Sequence, residues 1–247
     1  MSWLSLLQRK RRSLGEAGKF LPAVQPSPRS HYREVWDAQA STLDAAKVGV
    51  AGYTDEELFD QTAQETIDRL RRCIGINPSD IILEIGAGVG RVGRKLAPLC
   101  QKWIGADVSP RMLDYLRQRL SQLQNVEAVV LNGYDLSSLI TESMDVVYCT
   151  VVLMHLDEWE RYRYIKEGWR VLRPGGRMLV DNVNLLSDEG WAFFEQHLAM
   201  DPRSRPSHIS KTSTPQELET YFRRAGFEHV AQDYQGLWVT TWGAKPA

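Results

Sequence analysis

Residues 82–97 read ILEIGAGVGRVGRKLA, and this is the most informative stretch of the chain. The apolar run that begins after Asp80 has the length and composition of a buried strand, and glycines follow it directly. Small residues after a strand let the backbone approach a ligand, and amide hydrogens at the start of a helix favour negative charge. The stretch therefore predicts a strand, a ligand-binding turn and a helix.

The same alternation of strand and helix continues towards the C-terminus. Further strands are predicted at 103–107, 126–131, 144–150 and 177–183, with helices between them and a helix beginning at Thr54. Strands that alternate with helices indicate a parallel sheet covered on both faces. Two final strands, at about 228–233 and 236–243, are separated by two residues, so a hairpin with one antiparallel strand is expected.

Two segments lie outside this pattern. Residues 1–45 contain three prolines and little periodicity, which predicts an N-terminal arm that wraps a domain formed by residues 46–247. Residues 1–35 carry a net charge of +5, typical either of a solvated terminus or of peripheral contact with an anionic membrane. Residues 198–213 form an irregular insertion, a candidate lid over the acceptor.

Composition narrows the class of protein. A net charge of −1 argues against nucleic-acid binding by bulk electrostatics, and 43% apolar residues argue against a disordered chain. The apolar stretches are too short to span a bilayer. Three widely spaced cysteines, together with basic residues placed after the first apolar ones, predict free thiols and a cytoplasmic location.

The spacing of the glycines distinguishes between two ligands. A dinucleotide fingerprint requires glycine or alanine where Arg91 stands, which weakens the alternative of a nicotinamide-binding oxidoreductase. Gly86-x-Gly88-x-Gly90, preceded by Glu84, instead resembles the first motif of class I S-adenosylmethionine (SAM)-dependent methyltransferases. The resemblance covers roughly residues 50–243. It implies a Rossmann-like α/β three-layer sandwich, with a seven-stranded, mostly parallel sheet and a C-terminal antiparallel hairpin.

The resemblance also implies the cofactor SAM, with S-adenosylhomocysteine (SAH) as its product. Asp107 matches the acid that binds the ribose, whereas Asn132 stands where the family usually has an acid near the adenine. The cofactor-binding residues expected from the matched motifs are Glu84, Gly86, Ala87, Gly88, Gly90, Asp107, Val108, Met112, Asn132, Gly133, Tyr134, Thr150 and Met154. A non-catalytic Rossmann-like scaffold would be expected to have lost Asp107 or the glycines.

Two residues are candidates for catalysis. His155 lies after the fourth strand, where open α/β folds bind ligands, and its ordinary pKa suits a general base; packing is the alternative role. Asp181 is expected at the end of the fifth strand, facing the same crevice. No cluster has metal-ligand spacing, so no metal is predicted.

The acceptor predicted from these residues is a hydroxyl on a small molecule, a sugar or other glycan, or a lipid-linked glycan. The alternative is N-methylation of an amine such as a protein or peptide α-amine. The oligomeric state stays open.

Overall fold

One central sheet contains all the strands of the described residues, which in this computed structural model are 31–206 and 208–247. The strands are β1 Ile81–Ile85, β2 Lys102–Asp107, β3 Val126–Val130, β4 Met144–Cys149, β5 Leu172–Asn184, β6 Thr212–Ser213, β7 Glu228–Gln235 and β8 Trp238–Ala244. Their order is β3-β2-β1-β4-β5-β8-β7, and the short β6 pairs with β5. β8 runs antiparallel to both of its neighbours, while β1 to β6 pair in parallel. The predicted mostly parallel sheet and C-terminal hairpin are confirmed, with β6 as an additional strand.

Eight α-helices accompany the sheet in the described part of the chain. They are α1 Tyr32–Gln39, α2 Leu43–Ala51, α3 Glu56–Cys73, α4 Gly93–Leu96, α5 Pro110–Arg119, α6 Glu158–Val171, α7 Asp188–Leu198 and α8 Pro215–Ala225. Single 3₁₀ turns lie at Ala97–Leu99 and Leu153–His155. No helix of these residues is long and apolar enough to cross a bilayer.

Helices cover both faces of the sheet because neighbouring residues of each central strand point to opposite sides. Ile82 of β1 packs in one buried cluster with Ile67 of α3 and Leu113 of α5. The next residue, Leu83, belongs to a second cluster with Ile165 of α6 and Phe222 of α8. These two clusters make the three layers of a Rossmann-like sandwich, as predicted.

Helices α1 and α2, with their connection, form a strap (residues 32–51) that sequence periodicity did not reveal. The predicted boundary at residue 45 falls inside α2. Asp37 of the strap accepts hydrogen bonds from Ser109 Oγ (2.8 Å) and from the Arg111 amide (3.1 Å) at the start of α5. Arg33 donates to the carbonyl of Leu131 after β3 (2.8 Å). The strap is thus tied to the loops that follow β2 and β3.

Other predicted features fall partly outside the described residues. Of the seven cations in residues 1–35, only Arg33 is among the described residues. The predicted membrane contact of the arm therefore lies outside the residues that the structure describes. Cys100 and Cys149 are buried, Cys73 is partly buried, and all three are free thiols. Helix α3 begins at Glu56 with Asp55 as its cap, one residue later than the Thr54 cap predicted.

Candidate active site

The glycine loop after β1 adopts a conformation that its residues permit. Gly86, Gly88 and Gly90 have φ angles of 77°, 51° and 78°, in the left-handed region that glycine enters without steric cost. A Cβ on Gly88 would lie 2.5 Å from Val50 of the strap, and one on Gly86 would overlap Val152. Both glycines therefore also make room for side chains that converge from the strap and from the loop after β4.

Asp107 connects the glycine loop to the next loop. One carboxylate oxygen accepts the Gly88 amide and the other accepts the Ser109 amide, both at 2.9 Å. Burial raises the pKa of Asp107, and the bonds from Ser109 and Gly88 oppose that effect. Each carboxylate oxygen keeps further lone-pair capacity, so Asp107 can accept two hydroxyl groups from a ligand in the pocket.

Glu84 sits beneath the glycine loop in a buried polar chain. The Tyr148 hydroxyl donates to Glu84, and the Trp103 indole nitrogen donates to that hydroxyl (3.2 Å). Burial raises the pKa of Glu84 to about 8, although the Tyr148 bond and the charge of Arg91 lower it. Glu84 is therefore mainly protonated at neutral pH when the pocket contains no ligand.

A cleft of about 900 Å³, measured out to its opening, runs across the carboxyl ends of β3, β2, β1 and β4. Ten of the predicted site residues line it. On the β1 side these are Glu84, Gly86, Ala87 and Gly88, and after β2 they are Asp107, Val108 and Met112. Gly133 follows β3, and Thr150 and His155 follow β4. The sequence motifs thus converge on one pocket.

Four predicted cofactor residues do not line the cleft. The loop after β3 uses the Asn132 side chain internally, because Oδ1 accepts the amides of Tyr134 (2.8 Å) and Asp135 (3.0 Å). Leu131 and Gly133 line the cleft there instead. Met154 is buried, and its carbonyl accepts the Lys211 amide at 2.7 Å. Gly90 faces α5, where a Cβ would approach Leu120 and Leu116. The cofactor contacts expected of Asn132, Tyr134, Met154 and Gly90 stay predictions, since none of the four lines the cleft.

Asp181 does not line the cleft either, and it does not lie at the strand end expected of it. β5 continues three residues beyond it, to Asn184, and Asp181 pairs in register with Thr240 of β8. It is an interior residue of the sheet rather than a strand end. Its Oδ1 accepts the amide of Val151 at 2.6 Å.

His155 lies in the 3₁₀ turn after β4, with its ring against Trp36 of the strap (centroids 4.8 Å apart, planes at 69°). Its Nδ1 is 2.8 Å from the carbonyl oxygen of His208. A carbonyl only accepts, so Nδ1 carries the proton and Nε2 keeps its lone pair. Burial lowers the pKa of His155 to about 4, so the ring is neutral at physiological pH.

Arg161 of α6 holds the His155 turn in place and was not found from the sequence. Its buried guanidinium donates to the carbonyls of Leu153 (3.0 Å) and Leu156 (3.1 Å) in that turn. It also donates to Ser213 Oγ of β6 at 2.7 Å. Arg161 thereby links the C-terminal end of the 198–213 insertion, at Ser213, to the turn that contains His155.

The cleft also has aromatic and apolar walls that the motifs did not indicate. Tyr32, Trp36 and Val50 come from the strap, and Tyr164 comes from α6. A tryptophan in a mostly polar helix such as YREVWDAQ is the signal that could have identified this wall. Tyr32 and Trp36 are four positions apart in this helix, so they lie on one face, and both line the cleft.

Comparison with known proteins shows which proteins this chain resembles. A family model described as "Methyltransferase domain" matches residues 83–180. Demethylmenaquinone methyltransferase of Tropheryma whipplei (strain Twist) is 31% identical over 109 residues, 44% of each chain. Arsenite methyltransferase of Halobacterium salinarum is 27% identical over 176 residues, which are 68% of this chain and 43% of that protein. The matched part spans less than half of these curated relatives.

Solved structures show the same fold at lower sequence identity. Magnesium protoporphyrin IX methyltransferase from Synechocystis PCC 6803, solved with SAH, has a TM-score of 0.65 at 16% identity, covering 86% of this chain and 98% of that one. A SAM-dependent methyltransferase of Thermotoga maritima has a TM-score of 0.57 at 24% identity, covering 76% and 91%. The family match covers residues 83–180, from β1 to β5, the strands whose ends form the cleft, and this part of the chain is similar to the SAM-dependent methyltransferases.

Proposed function

We propose that this chain binds SAM in the cleft and transfers its methyl group to a hydroxyl oxygen of a small, largely apolar molecule. One observation carries the proposal: a single cleft has a buried carboxylate, Asp107, after β2 and a neutral imidazole, His155, after β4. The first suits a ribose, and the second suits a hydroxyl group that must lose its proton.

The donor end of the cleft fits the nucleoside. Asp107 can accept the two ribose hydroxyls, and Leu131 and Gly133 border the space in which we propose that the adenine lies. The methionine end then falls over Glu84 and the glycine loop. When bound, SAM supplies an electrophilic methyl group on a positively charged sulfur.

The acceptor end supplies the base. The acceptor oxygen forms a bond to the methyl carbon while the carbon–sulfur bond breaks, and the electron pair of that bond stays on sulfur as SAH forms. The hydroxyl proton passes to His155 Nε2 and from there to solvent. With a pKa of about 4, His155 is a weak base, so its main contribution is to orient the hydroxyl and receive its proton as the new bond forms.

The walls near His155 favour an uncharged acceptor. Trp36, Val152, Leu156 and Tyr164 provide apolar and aromatic surface at this end. The Asp, Glu, Lys and Arg residues found in the lining, among those the structure describes, come from the ends of β1 and β2 and the glycine loop rather than from β4. A peptide α-amine that enters the cleft as an ammonium ion would require a carboxylate here before it loses its proton and reacts, so a hydroxyl on a flat or lipid-like body fits better than the N-methylation alternative.

The test has two steps. Calorimetric titration with SAM, SAH and NAD comes first, and we expect binding of the two sulfur nucleotides without binding of NAD. Transfer of labelled methyl from SAM is then followed with matched acceptors, an aromatic alcohol, the corresponding amine and a sugar. Preferential labelling of the aromatic alcohol supports the proposal. Binding of NAD alone contradicts the cofactor, and preferential labelling of the amine contradicts the acceptor.

A further inference from the structure

Val151 has a backbone conformation that its side chain disfavours. It follows β4 directly and has a φ angle of 61°, in the left-handed region, where a β-branched residue is a genuine outlier. Such a conformation persists only when its surroundings enforce it, and it is commonly found at functional sites. Thr150, Val151 and Val152 all line the cleft.

The enforcing group is Asp181, reaching from β5 behind the cleft. Its Oδ1 accepts the Val151 amide at 2.6 Å, and the carboxylate is almost completely buried. Arg69 of α3 lies 3.3 Å from Oδ2 and also reaches Thr240 of β8 at 3.4 Å. No hydrogen bond of good geometry reaches Oδ2 from the described residues, so the carboxylate is held by Arg69 and directed at one backbone amide.

The backbone conformation of Val151 determines where Thr150 and Val152 lie in the cleft wall next to the glycine loop. With Val151 left-handed, the chain turns so that Val152 packs onto Gly86, filling the space that any Cβ there would occupy. If Val151 relaxed to an ordinary φ, Thr150 and Val152 would leave these positions. The wall next to the methionine end of the donor therefore depends on the Asp181–Val151 bond.

We propose that Asp181, held by Arg69, is a positioning residue that keeps Val151 left-handed and so shapes the donor-binding wall after β4. This inference rests on the proposed function, since the ligand of that wall is SAM. If the Asp181–Arg69 ion pair only stabilised the sheet, replacing Asp181 would lower the stability of the protein, and the effect on ligand affinity would not depend on the residue at position 151.

The experiment is a double-mutant cycle read by calorimetric SAH affinity. Asp181→Ala should weaken SAH binding about tenfold or more, because nothing then offsets the strain at Val151. In a Val151→Gly background the same change should cost less than about threefold, since glycine adopts the left-handed region freely. Asp181→Asn should stay within about threefold of wild type, because its Oδ1 still accepts the amide.

Asp80 provides a matched control. It is likewise buried, pairs with Arg177 at 2.7 Å and accepts one backbone amide, that of Asn77 at 2.8 Å. Unlike Asp181, it directly precedes β1, at the amino end of the strand and away from the cleft. Asp80→Ala should lower the melting temperature and leave SAH affinity unchanged.

The outcomes separate the two proposals. If wild-type protein binds neither SAM nor SAH, the proposed function fails and this inference fails with it. If wild type binds and Asp181→Ala binds equally well, or loses as much affinity in the Val151→Gly background, the positioning role is wrong. Should Asp181→Ala not fold, a loss of more than tenfold in Asp181→Asn overturns the inference and retention of affinity supports it.

Discussion

At the scale of single residues, the protonation state of His155 determines what the acceptor end can do. The imidazole is neutral, with its proton on Nδ1 and its lone pair on Nε2, because the His208 carbonyl can only accept. This state persists across the physiological range, since burial lowers the pKa to about 4. The site therefore needs no titration of His155 near neutrality to become active.

Replacing His155 tests that role directly. His155→Ala should lower turnover about 10²-fold, through loss of the group that receives the proton, and leave SAM affinity nearly unchanged. The wild-type rate should show no inflection near pH 6.5 and fall only as pH approaches 4, where His155 becomes charged. Steady-state rates from pH 4 to 8 provide the measurement.

His197 is the control for this variant. Its Nδ1 also lies 2.8 Å from a backbone carbonyl, that of Phe193, but it belongs to α7 and does not line the cleft. His197→Ala should retain wild-type turnover. Equal rates for the two variants would rule out a role for His155 in proton transfer.

Glu84 makes stability depend on pH. Its folded-state pKa of about 8 exceeds the ordinary value of 4.5, so between these values the folded protein binds more protons than the unfolded chain. Its contribution to the free energy of unfolding is largest at or below about pH 4.5 and falls as pH rises towards 8. Relative to Glu84→Gln, wild type should lose up to about 4 kcal/mol between pH 5 and 8. Urea unfolding of both proteins at several pH values measures this, and parallel curves would contradict the raised pKa.

At the scale of elements, the strap and the glycine loop depend on each other. Gly88 has a φ angle of 51°, and an added Cβ would meet Val50 of α2 at 2.5 Å. Gly88→Ala should therefore displace the strap and weaken SAM binding about tenfold or more, because the loop that binds Asp107 moves with it. Adding Val50→Ala should recover part of the affinity, which calorimetry measures.

Gly75 is the control that distinguishes a steric clash with a neighbouring side chain from backbone strain alone. Its φ angle is 70°, yet an added Cβ would meet nothing within 4 Å. Gly75→Ala should lower stability by about 1 kcal/mol and leave SAM affinity intact. If both glycine variants bind SAM as wild type does, the strap does not control the donor site.

The elements differ in how far their sequences predict them. The strands from β1 to β5 are built on mainly apolar runs bounded by turn residues, so their existence follows from local pattern. The strap has no strand–helix alternation, and its burial depends on contacts with the loops after β2 and β3 that lie far along the chain. Thr54 and Asp55 are both good caps, so the local sequence does not decide which of them caps α3; in the structure Asp55 does.

The site shows the same division. The positions of Gly86, Gly88 and Asp107 in the cleft are predictable, because each lies at or just after the carboxyl end of a strand that borders the cleft. The predicted strand at 177–183 already extended past Asp181, so its expected place at the strand end was wrong; its pairing with Thr240 of β8 depends on a segment far along the chain. Arg161 and Trp36 act through contacts with segments far away in the chain, which no local spacing encodes.

At the scale of the whole molecule, cofactor binding should be visible as stability. The cleft is formed by four strand ends and the strap, so a ligand that fills it binds only the folded chain. SAM at about 100 times its Kd should stabilise the protein by about 2.7 kcal/mol, roughly 5–10 °C in melting temperature, and NAD should produce no shift.

Asp107→Ala should reduce the SAM-induced shift in melting temperature to less than half at the same concentration, since about 1.5–3 kcal/mol of ribose hydrogen bonding is lost. An undiminished shift in that variant would contradict the placement of the ribose.

The contact between His155 and the 198–213 insertion has an evolutionary consequence. The group that holds the proton on Nδ1 is a main-chain carbonyl, which every amino acid supplies. Substitutions of the side chain at position 208 should therefore leave the tautomer of His155 unchanged. A deletion or insertion of one residue between α7 and β6 would shift that carbonyl and leave Nδ1 without its acceptor. We expect selection on this segment to preserve its length and backbone course rather than its composition.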